Sequence, residues 1–442
     1  MRSARTLSWW DTLRVQLSCS IPAFLLGIVT PNRAVLWLAT LGSARDPALS
    51  LLARLRDKYA CDNLWTWFPL RRTLLVTDPR LVDAVLASPA NAPDPVLKKR
   101  AISRFAPGAL VISSNDEARD RRPFNTSALD SDRLHLHANA FALIAVREAQ
   151  ALVDARHATL RWSDFQRLGQ RISHQVILGE GCVRPELASE LSKLVNWSNA
   201  LLRARASYAS FHASLGRWLS GAEPIASGEC LMHAARRALA EGGASDAMRA
   251  ESQVAFWFFV LKDAIELHVA RTLALVAAHP DVQAQVRADV RRADLTDARA
   301  LDRLEFLEGC IAEEMRLWTA VPLLLRRAEQ RFDLDGIVVE AGQQILVHAG
   351  LHHRDPRVFG ALADAFRPDA AGAASPARYA FSAHQRSCAG RSLVMLVLKA
   401  TLASLLAHHR FELVRPALLP GRIPHRYDHF AIALRTVRDD AT

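Results

Sequence analysis

Apolar residues recur at helical spacing along most of the chain, and the longest unbroken case is Glu251 to Ala278. That stretch is too long and too apolar for a surface helix, so it is predicted to run through a core. Helices are also predicted over Leu51–Ala60, over Ala140–Arg156, and over Trp162–Gly181, which stops at glycines. After Pro79, the residues Leu81, Val82, Val85 and Leu86 share one helical face, and a long apolar run follows Gly390. Strand-like patterns are fewer. Arg72 to Asp78 is β-branched and bounded by Pro79, and the run from Leu323 alternates like paired strands around turns at Asp335-Gly336 and Ala341-Gly342. Gly221–Gly243, with Pro224, Gly228 and a Gly-Gly pair, is predicted to be loose. His174, on an apolar helical face, is expected to be a satisfied core histidine.

Composition narrows the class. At 442 residues, half of them apolar, the chain can bury a large core, and length alone suggests two or three domains. The net charge of +11 is spread over short clusters such as Lys98, Lys99 and Arg100. That argues against nucleic-acid binding and suits a docking face for an acidic electron-transfer protein. Six scattered cysteines without paired spacing indicate a reducing compartment. Val15 to Asn32 is uncharged and contains IPAFLLGIV, and AVLWLATLG follows from Ala34. Pro22, Thr30, Pro31 and the polar Gln16, Ser18 and Ser20 interrupt any spanning helix. Residues 15–42 are therefore expected to pack on the protein or touch a membrane peripherally, in an otherwise soluble cytoplasmic chain. The arginine- and alanine-rich composition suggests a bacterial source.

Chemistry concentrates at Phe381 to Gly390, FSAHQRSCAG, immediately before the last long apolar run. Cys388 is placed at the mouth of a helix, whose free N–H groups favour a thiolate. Arg386 adds positive charge beside an anionic group, and Gly390 allows close approach to something flat. A lone cysteine is more often a small buried hydrophobe. These neighbours point instead to a ligand, and a large body that joins carboxylates to a thiolate-loving metal is haem.

The stretch resembles the haem-binding signature of the cytochrome P450 family. Phe381, Arg386, Cys388 and Gly390 match it in register, while His384 stands where the family has glycine, which implies an altered loop or a histidine with positive φ. Arg104 to Asp130 resembles the family's loop and helix over the haem, with Arg122 in place of a propionate-binding arginine and Ala118 where an aromatic or histidine is usual. The central helix ends in the family's manner at Val276 and Pro280. Counting back puts its Ala-Gly, variable, acid, Thr segment on Val260, Leu261, Lys262, Asp263 and Ala264. Glu313 and Arg316 resemble the family's structural Glu-Arg pair, whose further arginine falls on Ala370 unless Arg367 serves. Arg326 fits a second propionate arginine, and His353, Arg354, Asp355, Pro356, Phe366 and Pro368 resemble the approach to the cysteine.

The resemblance implies a mainly α fold: an N-terminal segment, 1–50, and a single domain, 51–442, of helices and small β-sheets around a buried haem b. It implies Cys388 as the axial iron ligand, Arg122, Arg326 and Arg386 as partners of the propionates, Phe381 and Gly390 as parts of the haem loop, and Asp263 as a distal proton relay. The expected reaction is insertion of one oxygen atom of O2 into an apolar small molecule or biosynthetic intermediate. Electrons would come from NAD(P)H through a separate ferredoxin- or flavodoxin-type donor and its reductase. Ala264 cannot hydrogen-bond as the family's threonine does. That leaves substrate or water in its place, peroxide as oxidant, or a different haem-thiolate reaction such as coupling, dehydration or rearrangement. His384, Ala264, Ala118 and Ala370 together also fit a non-enzymatic haem protein.

Overall fold

The computed structural model describes residues 4–41, 46–68, 71–94, 96–155, 158–225, 228–242, 246–370 and 379–438. Gly42, Arg156 and Gly243, the last residues of three predicted spans, lie outside them.

Helices dominate. A first group comprises α1 (Trp9–Val15), α2 (Ile21–Leu26), α3 (Arg33–Leu41), α4 (Pro47–Tyr59), α5 (Pro79–Ala87) and α6 (Leu97–Ile102). The central body is built from α7 (Asn115–Leu129), α8 (Ala138–Asp154), α9 (Trp162–Leu178), α10 (Pro185–Asn199), α11 (Arg205–Ser220), α12 (Leu231–Gly242) and α13 (Ala250–Ala278). It continues through α14 (Pro280–Arg292), α15 (Ala298–Asp302), α16 (Glu305–Leu317), the one-turn α17 (Ala349–His352) and α18 (Pro356–Phe359), and α19 (Arg391–His408).

The strands are β1 (Arg5–Thr6), β2 (Asn63–Trp67), β3 (Arg72–Val76), β4 (Asn91–Pro93), β5 (Thr159–Arg161), β6 (Leu323–Ala328), β7 (Phe332–Leu334), β8 (Ile337–Val339), β9 (Gln344–His348), β10 (His409–Arg415) and β11 (Ala433–Arg438). They form a six-stranded mixed sheet in the order β1-β2-β3-β9-β6-β4, a three-stranded sheet β10-β11-β5, and the β7-β8 hairpin. The hairpin turns at Asp335 (φ 53°) and Gly336 (φ 88°), the left-handed pair that the Asp-Gly dipeptide supplies.

The predicted core helix is the axis of the molecule. α13 has no internal proline or glycine, and its middle and C-terminal turns are buried. It packs on α9, α11, α16 and α19. Gly169 lets α9 approach α13 closely, since a Cβ there would lie 2.9 Å from the Lys262 carbonyl oxygen. α19 is the one described helix apolar and long enough to cross a membrane, but 78% of that stretch is buried inside the fold, so it is a core helix.

Three local predictions change. Gly221–Gly243 is not loose throughout, because α12 occupies its second half and packs against α7, α9 and α11. Pro224 and Gly228 precede that helix, and Gly242 is its last residue. The second change concerns α10 and α11, which the pattern reading passed over. The third concerns residues 9–26, which form a nearly continuous rod of α1, a π-helical turn at Gln16–Ser20, and α2. Pro22 falls in the first turn of α2, where the π turn hands over to the α-helix. The inner side of the rod buries Asp11, Val15 and Cys19. Lys58 Nζ at 2.6 Å and the Tyr59 hydroxyl at 2.8 Å donate to Asp11 Oδ2, and these bonds hold its carboxyl down to about 2.

Candidate functional site

The cysteine loop is held mainly by its own backbone. Cys388 N–H donates to the Phe381 carbonyl at 2.8 Å, Ser387 N–H to His384 at 3.0 Å, and Ser131 Oγ fixes the Ala389 carbonyl at 2.8 Å. His384 (φ 55°) takes the left-handed conformation, one of the two outcomes expected where the family has glycine, and Ser382 (φ 56°), for which none was expected, takes it too. The His384 ring finds a partner there, with Nε2 2.9 Å from Asp83 Oδ1 on α5. Gly390 caps α19, and an added Cβ would meet only Leu129 at 3.9 Å, so the chain's own atoms do not demand a glycine. The Arg391 guanidinium lies 5.6 Å over the Phe381 ring.

Cys388 is exposed, yet enough protein surrounds it that burial raises its thiol pKa. It therefore looks onto an interior space rather than the outer surface. The Gly390 N–H, Arg122 and Arg391 pull the other way and favour thiolate. Three guanidiniums crowd this loop. Arg122 Nη2 donates to the Ser387 carbonyl at 2.9 Å and to Ser387 Oγ at 3.1 Å. Arg386 Nη2 donates to Asn115 Oδ1, and Arg326 Nη2 to Ser382 Oγ at 3.1 Å. Arg326 is only 5% exposed and its Nε has no partner. Burial, reinforced by repulsion from Arg386, lowers Arg326 to about 10, and burial and then Arg122 lower Arg386. Among the described residues none of the three has a carboxylate within ion-pair distance. A cluster of cations without carboxylate counter-ions, with Arg326 buried and Arg122 and Arg386 half-buried, is a receptor for anions. A thiol, three cations and an orphaned donor fit a soft metal carried with carboxylates.

The second wall is α13. Within its buried length, Phe256, Phe259, Val260, Asp263 and Ala264 are only half-buried, and their spacing puts them on one stripe. Asp263 has no hydrogen-bond or ion-pair partner among the described residues. Burial raises its pKa, opposed by Lys262, Lys98, His268 and Arg271. Lys262 is engaged by Glu266, Nζ to Oε2 2.9 Å. Leu261 turns into the core at 5% exposure, so it does not fill this stripe.

The cytochrome P450 family model matches residues 268–420. Rice cytochrome P450 714C2 is 35% identical over 153 residues, 32% of this chain and 29% of that protein. Cytochrome P450 4c3 of Drosophila melanogaster is 29% identical over 174 residues, 37% of this chain and 32% of that protein. The matched part thus spans about a third of these curated relatives. A crystal structure of a cytochrome P450 (CYP102L1) superposes with a TM-score of 0.71 at 16% identity, covering 89% of this chain and 94% of that one. Residues 268–420 therefore match the cytochrome P450 family, and the chain has the fold of a cytochrome P450.

Within that P450 frame, the Glu313–Arg316 pair is buried and fully bonded. Arg316 Nε lies 2.6 Å from Glu313 Oε1, and the guanidinium also reaches the carbonyls of His353 (2.7 Å), Ala363 (2.9 Å) and Ala365 (2.8 Å). Arg367 contributes its backbone N–H to Glu313 at 3.1 Å, while its side chain turns to Asp369. The expected third arginine is thus replaced by a main-chain donor. Gly309 lets α16 approach this segment, since a Cβ there would lie 2.5 Å from the Pro368 carbonyl oxygen. Of the neighbouring α7 arginines, Arg122 reaches the cysteine loop, and Arg121 is buried on Ser113, Glu117 and Ala247.

The site includes residues that sequence reasoning missed. Ser387 and Asn115 anchor two of the arginines, and Asp83 holds His384. Lys98, read as part of a surface charge cluster, is lowered by burial and lies within electrostatic reach of Asp263. A basic triplet carries no sign of which lysine turns inward. On the outer side, a concavity of about 1070 Å³ between α7 and the cysteine loop is lined by Ala118, Arg119, Arg122, Pro123, Gln385 and Arg386.

Proposed function

We propose that the chain is a haem-thiolate monooxygenase acting on an apolar small molecule. The carrying observation is the convergence of Arg122, Arg326 and Arg386, without carboxylates, around a thiol that faces the interior. In this reading Cys388 would hold the haem iron as a thiolate, the form that the Gly390 N–H, Arg122 and Arg391 favour against the effect of burial. Arg326, with its free Nε, and Arg386 and Arg122 would hold the propionates, and Phe381 and Gly390 shape the loop. Haem would supply reductive activation of O2 and transfer of one oxygen atom. Asp263 is the group that would hold a proton in this space, since burial favours the protonated form of its carboxyl. Ala264 offers no hydroxyl, so water or a substrate hydroxyl completes that relay. Phe256, Phe259 and Val260 make the surrounding wall apolar and set the preference for a greasy substrate.

Electrons come from NAD(P)H through a separate carrier of the ferredoxin or flavodoxin type and its reductase. The concavity beside the cysteine loop suits an acidic carrier, although Arg119 and Arg133 on its lining are partly neutralised by Asp116 and Asp130.

The test is the absorption spectrum of the dithionite-reduced protein with and without carbon monoxide. A red-shifted thiolate-type Soret band that disappears in Cys388→Ala is expected, and an imidazole-type band or no haem overturns the reading. Turnover supported by the reduced carrier, compared with turnover on peroxide, separates a monooxygenase from a peroxygenase. In Ala264→Thr, the fraction of reductant converted to product should change severalfold, and an unchanged fraction would count against Asp263 as the relay.

A further inference from the structure

Between α6 and α13 stands one cation that nothing else in the chain accounts for. Lys98 lies three and four residues before Ala101 and Ile102, so it shares the face of α6 that those two bury in the core, at 0% and 1% exposure. Arg100 is on the other side and exposed. Just beyond the helix, the Phe105 N–H donates to the Ile102 carbonyl at 3.1 Å, and the Phe105 ring meets Phe259 of α13 edge to face, with centroids 5.5 Å apart. Phe259 stands four residues before Asp263 on the half-buried stripe. The inner face of α6 is therefore set against that stripe.

Lys98 keeps accessible surface, yet enough protein surrounds it that burial lowers its pKa, so its ammonium looks into an enclosed space rather than outward. It has no hydrogen-bond or ion-pair partner among the described residues. The one charge it influences and is influenced by is Asp263, beyond ion-pair distance. Arg122, Arg326 and Arg386 respond to one another or to Cys388, and not to Lys98. The lysine thus belongs to the chamber walled by α13 and not to the arginine cluster.

We propose that Lys98 anchors a carboxylate of the substrate, so that the class of molecule taken is apolar with a single acid group. This rests on the haem-thiolate reading, which makes the chamber the substrate site. Charge chooses the group. An enclosed ammonium without a counter-ion is unfavourable, and a bound anion removes the deficit. Burial favours the neutral form of Asp263, so the space carries one positive charge, which one carboxylate balances and a phosphate dianion would overshoot. Phe256, Phe259 and Val260 take the apolar remainder, and the ion pair fixes which end of the molecule lies toward α6.

The experiment uses the full-length holoprotein with phenylpentanoate, its methyl ester and phenylpentanol as probes. Equilibrium dialysis gives the dissociation constants, and a shift of the Soret band shows that a probe has reached the haem. Wild type should bind the acid about tenfold or more tighter than the ester or the alcohol, the effect of one charge-assisted bond in an enclosed site. Lys98→Met, which keeps the apolar stem, should lose that preference while binding the ester as wild type does, and Lys98→Arg should keep most of it. Arg100→Met, on the outer side of α6, should change nothing. The proposal is overturned if wild type binds the acid no better than the ester, or if Lys98→Met retains the preference. A Lys98→Met that retains it and releases haem to apomyoglobin faster would assign the ammonium to a propionate instead. The carbon monoxide spectrum is read on the same samples and dialysis needs no iron signal, so a failed haem reading and a failed acid anchor are separate results.

Discussion

Two buried arginine sites lie close together in sequence and differ in one respect. Arg316 is 1% exposed and entirely provided for, with a two-pronged bond to Glu313, three carbonyls, and the Phe359 ring 4.7 Å away. Arg326 is as thoroughly enclosed but has one serine, an idle Nε and a second guanidinium, that of Arg386, for neighbours. Desolvating a cation is expensive in both places, and only the first place supplies the compensation from within. A satisfied buried charge is architecture; an unsatisfied one is a binding site waiting for charge of the other sign.

Opposite responses to the same kind of substitution would sharpen that contrast. Arg316→Leu leaves Glu313 buried and unpaired and should cost about 3–5 kcal/mol, enough to abolish folding or lower the denaturant midpoint severely. A stable, soluble Arg316→Leu would erase the distinction.

The next effect is acid sensitivity beside Arg316. Burial pushes His352 down to about 4 and His353 to about 3, and both His353 ring nitrogens lack partners. The unfolded chain takes up protons near the ordinary value of 6.5 while the folded chain does not, so this stability is complete above pH 6.5 and falls toward pH 4. Thermal scans should show roughly 2–3 kcal/mol lost per histidine by pH 4.5, and His353→Phe, which keeps the stack on Tyr379, should flatten the profile.

Arg326→Leu removes an uncompensated cation. Without haem its stability should stay within about 1 kcal/mol of wild type or rise, while haem dissociation measured by transfer to apomyoglobin should speed up severalfold. A large loss of stability without haem would make Arg326 structural after all. The smallest change is His384→Gly, where relief of left-handed strain offsets the lost Asp83 contact, for a net effect within about 1 kcal/mol by thermal denaturation.

What could be read beforehand divides along similar lines. Cys388 ahead of a helix, Glu313 and Arg316 three apart on one turn, and the length of α13 are local facts, and local spacing displays them. Positive φ at His384 was also legible, because the position matched a glycine. Its bond to Asp83 was not, since 301 residues separate the two. Likewise Arg121 and Arg122 are neighbours in sequence, and only the fold decides which turns toward Ser387. Lys98 was hidden by two adjacent cations, and α12 by the turn residues at its ends. The outward apolar faces of residues 9–41 were visible as an uncharged stretch, but its two sides separate only once Val15 and Cys19 have found the interior.

Gly169 has a bearing beyond packing. The Lys262 carbonyl it admits belongs to the residue immediately before Asp263, on the opposite side of α13 from the half-buried stripe. A single methyl group at 169 would therefore act as a spacer, displacing the helix and changing the width of the chamber without altering any residue that lines it. Variation at such a position could retune which substrates fit while leaving every wall residue in place, a route to new specificity that comparison of pocket residues alone would never detect.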